Sequence, residues 1–174
     1  AYIGVTRDDK AAGAAREDGF IAGLKNAGVT LFKENKRTSA FTLESGYESA
    51  LDLLESKCDI DVISCATDTI AAGAIEAIQT YLKKQIPTNA ADAGARMRYI
   101  LENTSIRVTG FGDNQMLKAV TGGIPTIHFG YKTSGIRGAE LLLDSIERGE
   151  QIPIEMKLGF RLVGADPSDS ENLT

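Results

Sequence analysis

The chain reads as a doubly wound α/β domain built on a parallel sheet. Three observations predict this. Short β-branched runs alternate with longer segments whose apolar residues recur at helical spacing, the order that builds βαβ units. The central run "DVISCATD" (61–68) is apolar almost throughout, as a strand is when both faces of a parallel sheet are covered. Glycines and capping residues fall between the two kinds of segment, where helices start and stop. At 174 residues the chain suits one domain or two small lobes.

The elements follow in order. "YIGVT" (2–6) is a buried strand that exits into the polar "RDDK". "AAGAAREDGFIAGLKNAG" (11–28) places Ala15, Phe20, Ile21 and Leu24 near helical spacing and ends at Gly28, a helix-stop signal. "VTLFKEN" (29–35) predicts a second strand. "TLESGYESALDLLESK" (42–57) is a helix with Thr42 as N-cap and Tyr47, Ala50, Leu51 and Leu54 on one face. The apolar run 61–68 is the third strand. Asp68 and Thr69 open the helix "TIAAGAIEAIQTYLKKQ", with Lys83 and Lys84 at the favourable end of its dipole. "IRVTGFGDN" and "IPTIHFGY" are the fourth and fifth strands, and "SGIRGAELLLDSIERG" is a helix stopped by Gly149. "IPIEMKLGFRLV" is a final strand, and the acidic tail "GADPSDSENLT" is frayed. Residues 86–106 exceed an ordinary αβ connection and have room for an extra short helix.

Composition narrows the chemistry. A net charge of −5 argues against a nucleic-acid or membrane surface on this piece, since phosphate contacts need clustered Lys and Arg. No segment approaches the ~20 apolar residues of a membrane span. Cys58 and Cys65 read as free thiols, their spacing fits no metal motif, and His128 is the only histidine. No metal or cofactor is expected.

In doubly wound sheets ligands bind beyond the carboxyl ends of the strands. The loops there are Thr6 to Lys10, Thr67 to Thr69, Gly112 to Gln115 and Phe129 to Tyr131. "GFGDN" has Gly-x-Gly after a strand but lacks a third glycine and a tight following helix, so it reads as a turn. Asp8, Asp9, Asp68 and Asp113 cluster at strand ends, yet nothing marks an acid with the raised pKa that glycoside hydrolysis needs, and capping or solvation accounts for them. His128 in "PTIHFGY" reads as a strand residue rather than a catalytic base. A binding reading fits better. Sugars present hydroxyls around apolar C–H faces, and they need aromatic platforms and forked polar partners. Phe41, Phe129 and Tyr131 offer stacking, and Arg16, Asp68 and Asp113 offer hydrogen bonds.

At these residues a resemblance enters. "IGVTRDD…AAREDGFIAGLKNAG", "SGYESALDLL", "VISCATDTIAAGAIEAI", "RVTGFGDN" and "PTIHFGYKTSGIRGAELLLDSI" stand in an order similar to that of the sugar-responsive lactose-repressor family. Three elements together make it specific: Arg-x-x-Gly-aromatic, Ala-x-Asp-x-x-Ala-x-Gly-Ala and Gly-Phe-x-Asp. It covers the chain outside 86–106 and the tail. "CATDTIAAGA" resembles the repressors of sucrose and trehalose operons.

The resemblance implies a type I periplasmic-binding-protein-like fold, with two lobes around a sugar, a homodimer and an operator-reading domain ahead of the lobes. The chain then corresponds to a fragment. Residues 1–130 and 150–165 form the carboxy-terminal lobe, 131–149 supply a helix of the otherwise missing amino-terminal lobe, and 166–174 are a flexible tail. That helix's apolar face (Ile136, Leu141, Leu142, Ile146) is expected to lack its usual neighbours, and so to repack, to pair with another copy or to be poorly ordered.

By the same resemblance Arg16 clamps sugar hydroxyls and Phe41 falls near a sugar-contacting aromatic. Thr67 and Asp68 fall where relatives carry Asn-Asp, Gly112 and Asp113 fall on an Asp-Asp pair, and Phe129 and Tyr131 lie at the crossover. Thr67 and Gly112 depart from that pattern, so a galactoside specificity does not carry over. The helix 69–82 is a candidate dimer surface by resemblance, with packing on the sheet as the alternative.

The implied function is a cytoplasmic repressor's sensing domain. Its effector is a sugar, with a disaccharide or its phosphate among the candidates, and it meets operator DNA through a domain not present here. A periplasmic sugar-binding transport protein shares the fold and stands as the second reading. A sugar-active enzyme is the third, disfavoured by the missing catalytic constellation.

Overall fold

Ile3, Ile63, Cys65 and Val108 lie side by side across three strands and are essentially buried. A computed structural model describes residues 1–56, 59–82, 104–149 and 153–164. Its main sheet has four parallel strands in the order β2-β1-β3-β4. These are β1 (Tyr2–Gly4), β2 (Lys36–Thr38), β3 (Val62–Cys65) and β4 (Arg107–Thr109). Ile3 pairs with Cys65, and Ile63 with Val108. Side chains alternate along a strand, so these four share one face, while Tyr2, Ser64 and Thr109 share the other.

Two helices close the first face. They are α2 (Leu43–Glu55) and α3 (Asp68–Leu82). Thr42 caps α2 by accepting from the Ser45 N–H at 3.2 Å, as its sequence predicts. Ala50, Leu53, Ile70, Ala74, Ile75 and Ile78 fill the layer beneath them, and each Leu or Ile contributes about 1.5–3 kcal/mol of burial. The apolar residues of α3 are thus taken up inside the chain. That favours packing on the sheet over the dimer-surface reading of this helix.

The opposite face is covered by α1 (Arg16–Asn26), whose Phe20 stacks on Tyr2 with centroids 4.9 Å apart. Helices on both faces make the sheet doubly wound, as the alternation predicts.

Three sequence expectations need correction. No strand runs through 29–35. Val29 donates its N–H to Leu24 O at 2.8 Å and so helps end α1, with Gly28 in the left-handed conformation. Lys33–Asn35 form a 3₁₀ turn, and the strand begins only at Lys36.

A helix does follow "GFGDN": α4 (Gln115–Thr121), whose Asn114 side chain accepts from the Met116 and Leu117 N–H groups.

The last two strands leave the parallel sheet. β5 (Thr126–Phe129) and β6 (Phe160–Val163) pair antiparallel, with His128 opposite Arg161, and among the described residues of "IPIEMKLGFRLV" only these last four are strand. Two bonds tie this ribbon to the end of β4: Gly110 N–H to Pro125 O (2.9 Å) and Gly112 N–H to Ile127 O (3.0 Å).

Between the ribbon strands runs α5 (Tyr131–Arg148), stopped by Gly149 at φ +66°. None of its residues is buried, and Leu142, Leu143 and Ile146 are each at least 60% exposed. The apolar face is therefore largely bare in this chain, and the helix is formed without repacking onto the lobe. Cys65 is a buried free thiol. The expectations for Cys58, Lys83, Lys84, an extra helix within 86–106 and the 166–174 tail fall on residues outside the described ones, apart from 104–106, which are not helical.

Candidate ligand site at the strand ends

Arg16 is the first residue of α1, and the chain reaches it through a π-helical turn, Lys10–Ala15. Such turns are rare and often lie beside functional sites. Asp9 opens this one by accepting from the Ala11 and Ala12 N–H groups at 3.0 and 2.7 Å. These bonds, that from Ala12 foremost, hold the Asp9 carboxyl below the usual carboxylate range. Gly13 is obligatory here, because a Cβ would lie 1.9 Å from the Thr6 carbonyl oxygen. The next residue, Glu17, is buried and pairs with Lys36 Nζ (2.8 Å) and Arg7 Nη1 (3.2 Å). Arg16 is thereby fixed from both sides.

Its guanidinium lies over the Phe111 ring, 3.8 Å from the centroid, and Nη1 donates to Ala66 O just past β3. Burial pulls Arg16 below its ordinary value, yet a guanidinium keeps its proton at neutral pH. A cation over an aromatic face gains roughly 0.5–2 kcal/mol. Phe111 touches Phe129 (5.0 Å), Phe129 touches Tyr131 (6.0 Å), and Tyr131 meets His128 edge-on (6.0 Å). The Tyr131 hydroxyl donates to Gly112 O at 3.1 Å. Arg16, Phe129 and Tyr131 are thus joined into one rim, with Phe111 as the link.

The acids sit on the same edge but serve the lobe itself. Asp68 is 4% exposed. Its Oδ1 accepts from the Thr126 hydroxyl (2.7 Å) and its Oδ2 from the Asn114 N–H (2.5 Å). It ties the start of α3 to the cap of α4 and to β5. Gly110 makes room for it, since a Cβ there would meet Asp68 Oδ1 at 2.1 Å. Asp113 stands at φ +53°, and its Oδ2 lies 2.7 Å from His128 Nδ1. Thr67 caps α3 by accepting from the Ile70 N–H (3.2 Å). Phe41 is half-exposed in the loop after β2, and no ring contact joins it to the Phe111 cluster among the described residues.

Below the rim a groove of about 870 Å³ runs across the Tyr2 face of the sheet, walled mainly by apolar residues including Phe20, Ile127, Phe160 and Leu162. Such walls suit apolar contact rather than a ring of hydroxyls, and Arg16 brings a charge to them. No group of three potential metal ligands occurs among the described residues. No described helix is long and apolar enough to cross a membrane.

Sequence reasoning missed Phe111, His128, Asn114 and Thr126. Phe111 was legible in principle, since the Gly-Phe element was already singled out. The other three act through bonds to Asp68 or Asp113 that only the fold brings together.

Known proteins give this geometry a family. The model for periplasmic binding proteins and the sugar-binding domain of the LacI family matches residues 3–157. A comparison with curated protein sequences found no match. Among solved structures, a complex of the transcriptional regulator CelR with cellobiose superposes with a TM-score of 0.74 at 21% identity, over 94% of this chain and 44% of that one. The trehalose repressor from Escherichia coli gives 0.67 at 20% identity, over 92% and 53%. A regulatory protein of the LacI family from Chloroflexus aggregans gives 0.73 at 19% identity, over 93% and 52%. The chain spans about half the length of each. The parallel sheet and its helices are the fold these proteins share, and the chain belongs to the family of periplasmic binding proteins and LacI-type sugar-binding domains.

Proposed function

We propose that the chain is part of the sugar-sensing effector domain of a bacterial transcriptional repressor. The observation that carries this is the Arg16 rim: a half-buried guanidinium stacked on Phe111, beside Phe129 and Tyr131, at the carboxyl end of a parallel sheet. A fork of donors next to aromatic faces suits hydroxyls around C–H faces, and no acid at the rim is arranged for catalysis. Similar solved proteins support the regulatory side. CelR is a regulator solved with cellobiose, and a Lac repressor dimer is solved on operator.

In this reading residues 1–130 and 150–165 are one lobe, and α5 belongs to a second lobe that supplies the other wall of the site. The bare apolar face of α5 supports that assignment. The intact protein is a cytoplasmic homodimer of the sucrose- or trehalose-repressor kind, and it meets DNA through a separate domain. Sugar favours one lobe arrangement over another, and operator affinity changes by that difference in affinity.

The test is sugar binding by the protein carrying this chain, with and without Arg16→Ala. The reading requires at least a tenfold loss, the ~1.5–3 kcal/mol of hydrogen bonds to a charged group. Unchanged affinity removes Arg16 from the site and the reading with it.

A further inference from the structure

An apolar stripe runs the length of α5. Gly135, Ile136, Ala139, Leu142, Leu143 and Ile146 recur at steps of three and four, so they share one face, and all six are exposed. We infer that this face is the contact surface for a second copy of the chain, and that two α5 helices pair there antiparallel about a two-fold axis. The inference concerns the 174-residue chain and does not rest on the sugar-sensing reading.

Charge selects the partner. Arg137 pairs with Glu140 (2.7 Å) and Arg148 with Asp144 (3.0 Å), on the helix itself. Lys132 and Glu147 are left with no ion pair among the described residues. Both stand at the wrong end for their charge. A helix macrodipole favours acids at the start and bases at the end. Lys132 is the second residue of α5, and Glu147 is the last but one. An isolated helix gains nothing from that order, whereas a helix of opposite polarity laid alongside does.

One register serves charge and packing together. A two-fold axis between Ala139 and Glu140 sets Lys132 opposite the partner's Glu147, and Ile136 opposite the partner's Leu143. Lys132 and Ile136 lie one turn apart, as do Leu143 and Glu147, so both contacts run along the same edge of the stripe. Ala139 is small and sits at the axis, and Gly135 has open space at its Cβ position, so the helices can approach closely. A parallel pair instead puts Lys132 against Lys132 and Glu147 against Glu147. An 18-residue helix is about 27 Å long and makes a small interface, so the pair is weak, with a Kd of roughly 10–100 µM. Below that range α5 stays in water. Tyr131 precedes Lys132, so pairing brings the end of the partner's α5 beside the rim.

The test is sedimentation equilibrium of the 174-residue chain between about 1 and 500 µM, with Lys132→Glu, Glu147→Lys and Leu143→Asp as variants. The parent chain is expected to dimerise across this range. Lys132→Glu or Glu147→Lys alone turns two attractive contacts repulsive and should weaken the dimer roughly five- to thirtyfold. Both changes suit the macrodipole, so a weaker pair cannot come from a weaker helix. An equimolar mixture of these two variants should recover parental association, because every end contact in the mixed pair is again Lys against Glu. High salt should narrow these differences. Leu143→Asp buries a carboxylate at the contact and should cost about tenfold or more. Circular dichroism and the unfolding midpoint check each variant's fold.

A parent chain that stays monomeric throughout overturns the pairing. A dimer unmoved by a folded Leu143→Asp places the contact on another face and overturns it too. A mixture that associates no more tightly than its two components overturns the antiparallel register, and this arm decides even where Leu143→Asp fails to fold.

Discussion

Gly73→Ala should loosen the seat of α3, although alanine is the better helix former. Gly73 faces the first turn of α2 so closely that a Cβ would lie 2.1 Å from Leu43 O and 2.5 Å from Tyr47 N. Real Cβ contacts stay beyond 3.0 Å, and both obstacles are backbone atoms. No rotamer change relieves them, so the helices must separate by roughly 1 Å. The propensity gain is about 1 kcal/mol. Against it stands an overpacking cost of about 1–3 kcal/mol, at its upper end because backbone must move. Separation also opens the contacts of Ile70, Ala74 and Ile75, and a gap of 0.5–1 Å forfeits about a quarter to a half of each dispersion well.

The net expectation is a loss of about 2 kcal/mol, or about 4–8 °C in Tm for a chain of this size. Gly23→Ala is the control. It lies in α1 with nothing within 4 Å of its Cβ position, so it should gain about 0.5–1 kcal/mol. Urea unfolding and calorimetry of both variants decide the matter. Gly73→Ala as stable as the parent chain would refute the claim that α2 and α3 meet through their backbones.

Three further outcomes follow from the same geometry. The Tyr2 hydroxyl is buried without a hydrogen-bond partner among the described residues, and burial pushes its pKa up to about 12. An unfolded tyrosine ionises near 10, so ionisation favours unfolding and about 2–3 kcal/mol of stability should disappear between about pH 10 and 12. Tyr2→Phe should flatten that loss and gain about 1 kcal/mol at pH 7, measured by urea titration at each pH. Asp68→Asn should cost about 1–3 kcal/mol in the same assay, since one of its two donors, Thr126 or Asn114, then faces an NH₂ group. The double change Leu142→Ser and Ile146→Ser should move the stability of this chain by no more than about 1 kcal/mol, because both side chains lie in water. A larger loss by thermal unfolding would mean that α5 already packs on something.

Much of the fold was legible because its signals are local. Thr42 capping α2, Gly28 and Gly149 ending helices, and the apolar run of β3 all act within a few residues. The misses have a common cause, which is competition between partners that periodicity does not show. Val29 looks like a strand residue, but its N–H belongs to the end of α1. "GFGDN" looks like a bare turn, but Asn114 caps a helix that its short length hid. The site divides the same way. Arg16 stood out as a forked donor near the strand ends and through the lactose-repressor resemblance, and the fold sets its guanidinium over Phe111. Asp68 and Asp113 looked like ligands because a sequence shows a carboxylate and not the Thr126, Asn114 or His128 that occupies it.

That occupation bears on how a ligand could act on the rest of the protein. Acids that hold α3, α4 and β5 together are unavailable as movable contacts, since taking their donors away leaves buried groups unpaired at about 1–3 kcal/mol each. The rim residues left over differ in what they are attached to. Arg16 belongs to a rigid turn locked by Asp9, Gly13 and Glu17. Tyr131 is the first residue of α5, which buries none of its residues, and its hydroxyl makes one exposed hydrogen bond, to Gly112 O, beside edge contacts with Phe129 and His128. A ligand seated on Arg16 that competes for the Tyr131 hydroxyl therefore acts on the first turn of α5 while the sheet stays fixed. Under the proposed reading this is where binding energy passes from one lobe to the other. Tyr131→Phe should accordingly change the operator response to sugar more than it changes sugar affinity, and a variant that lost both in equal measure would place Tyr131 in binding alone.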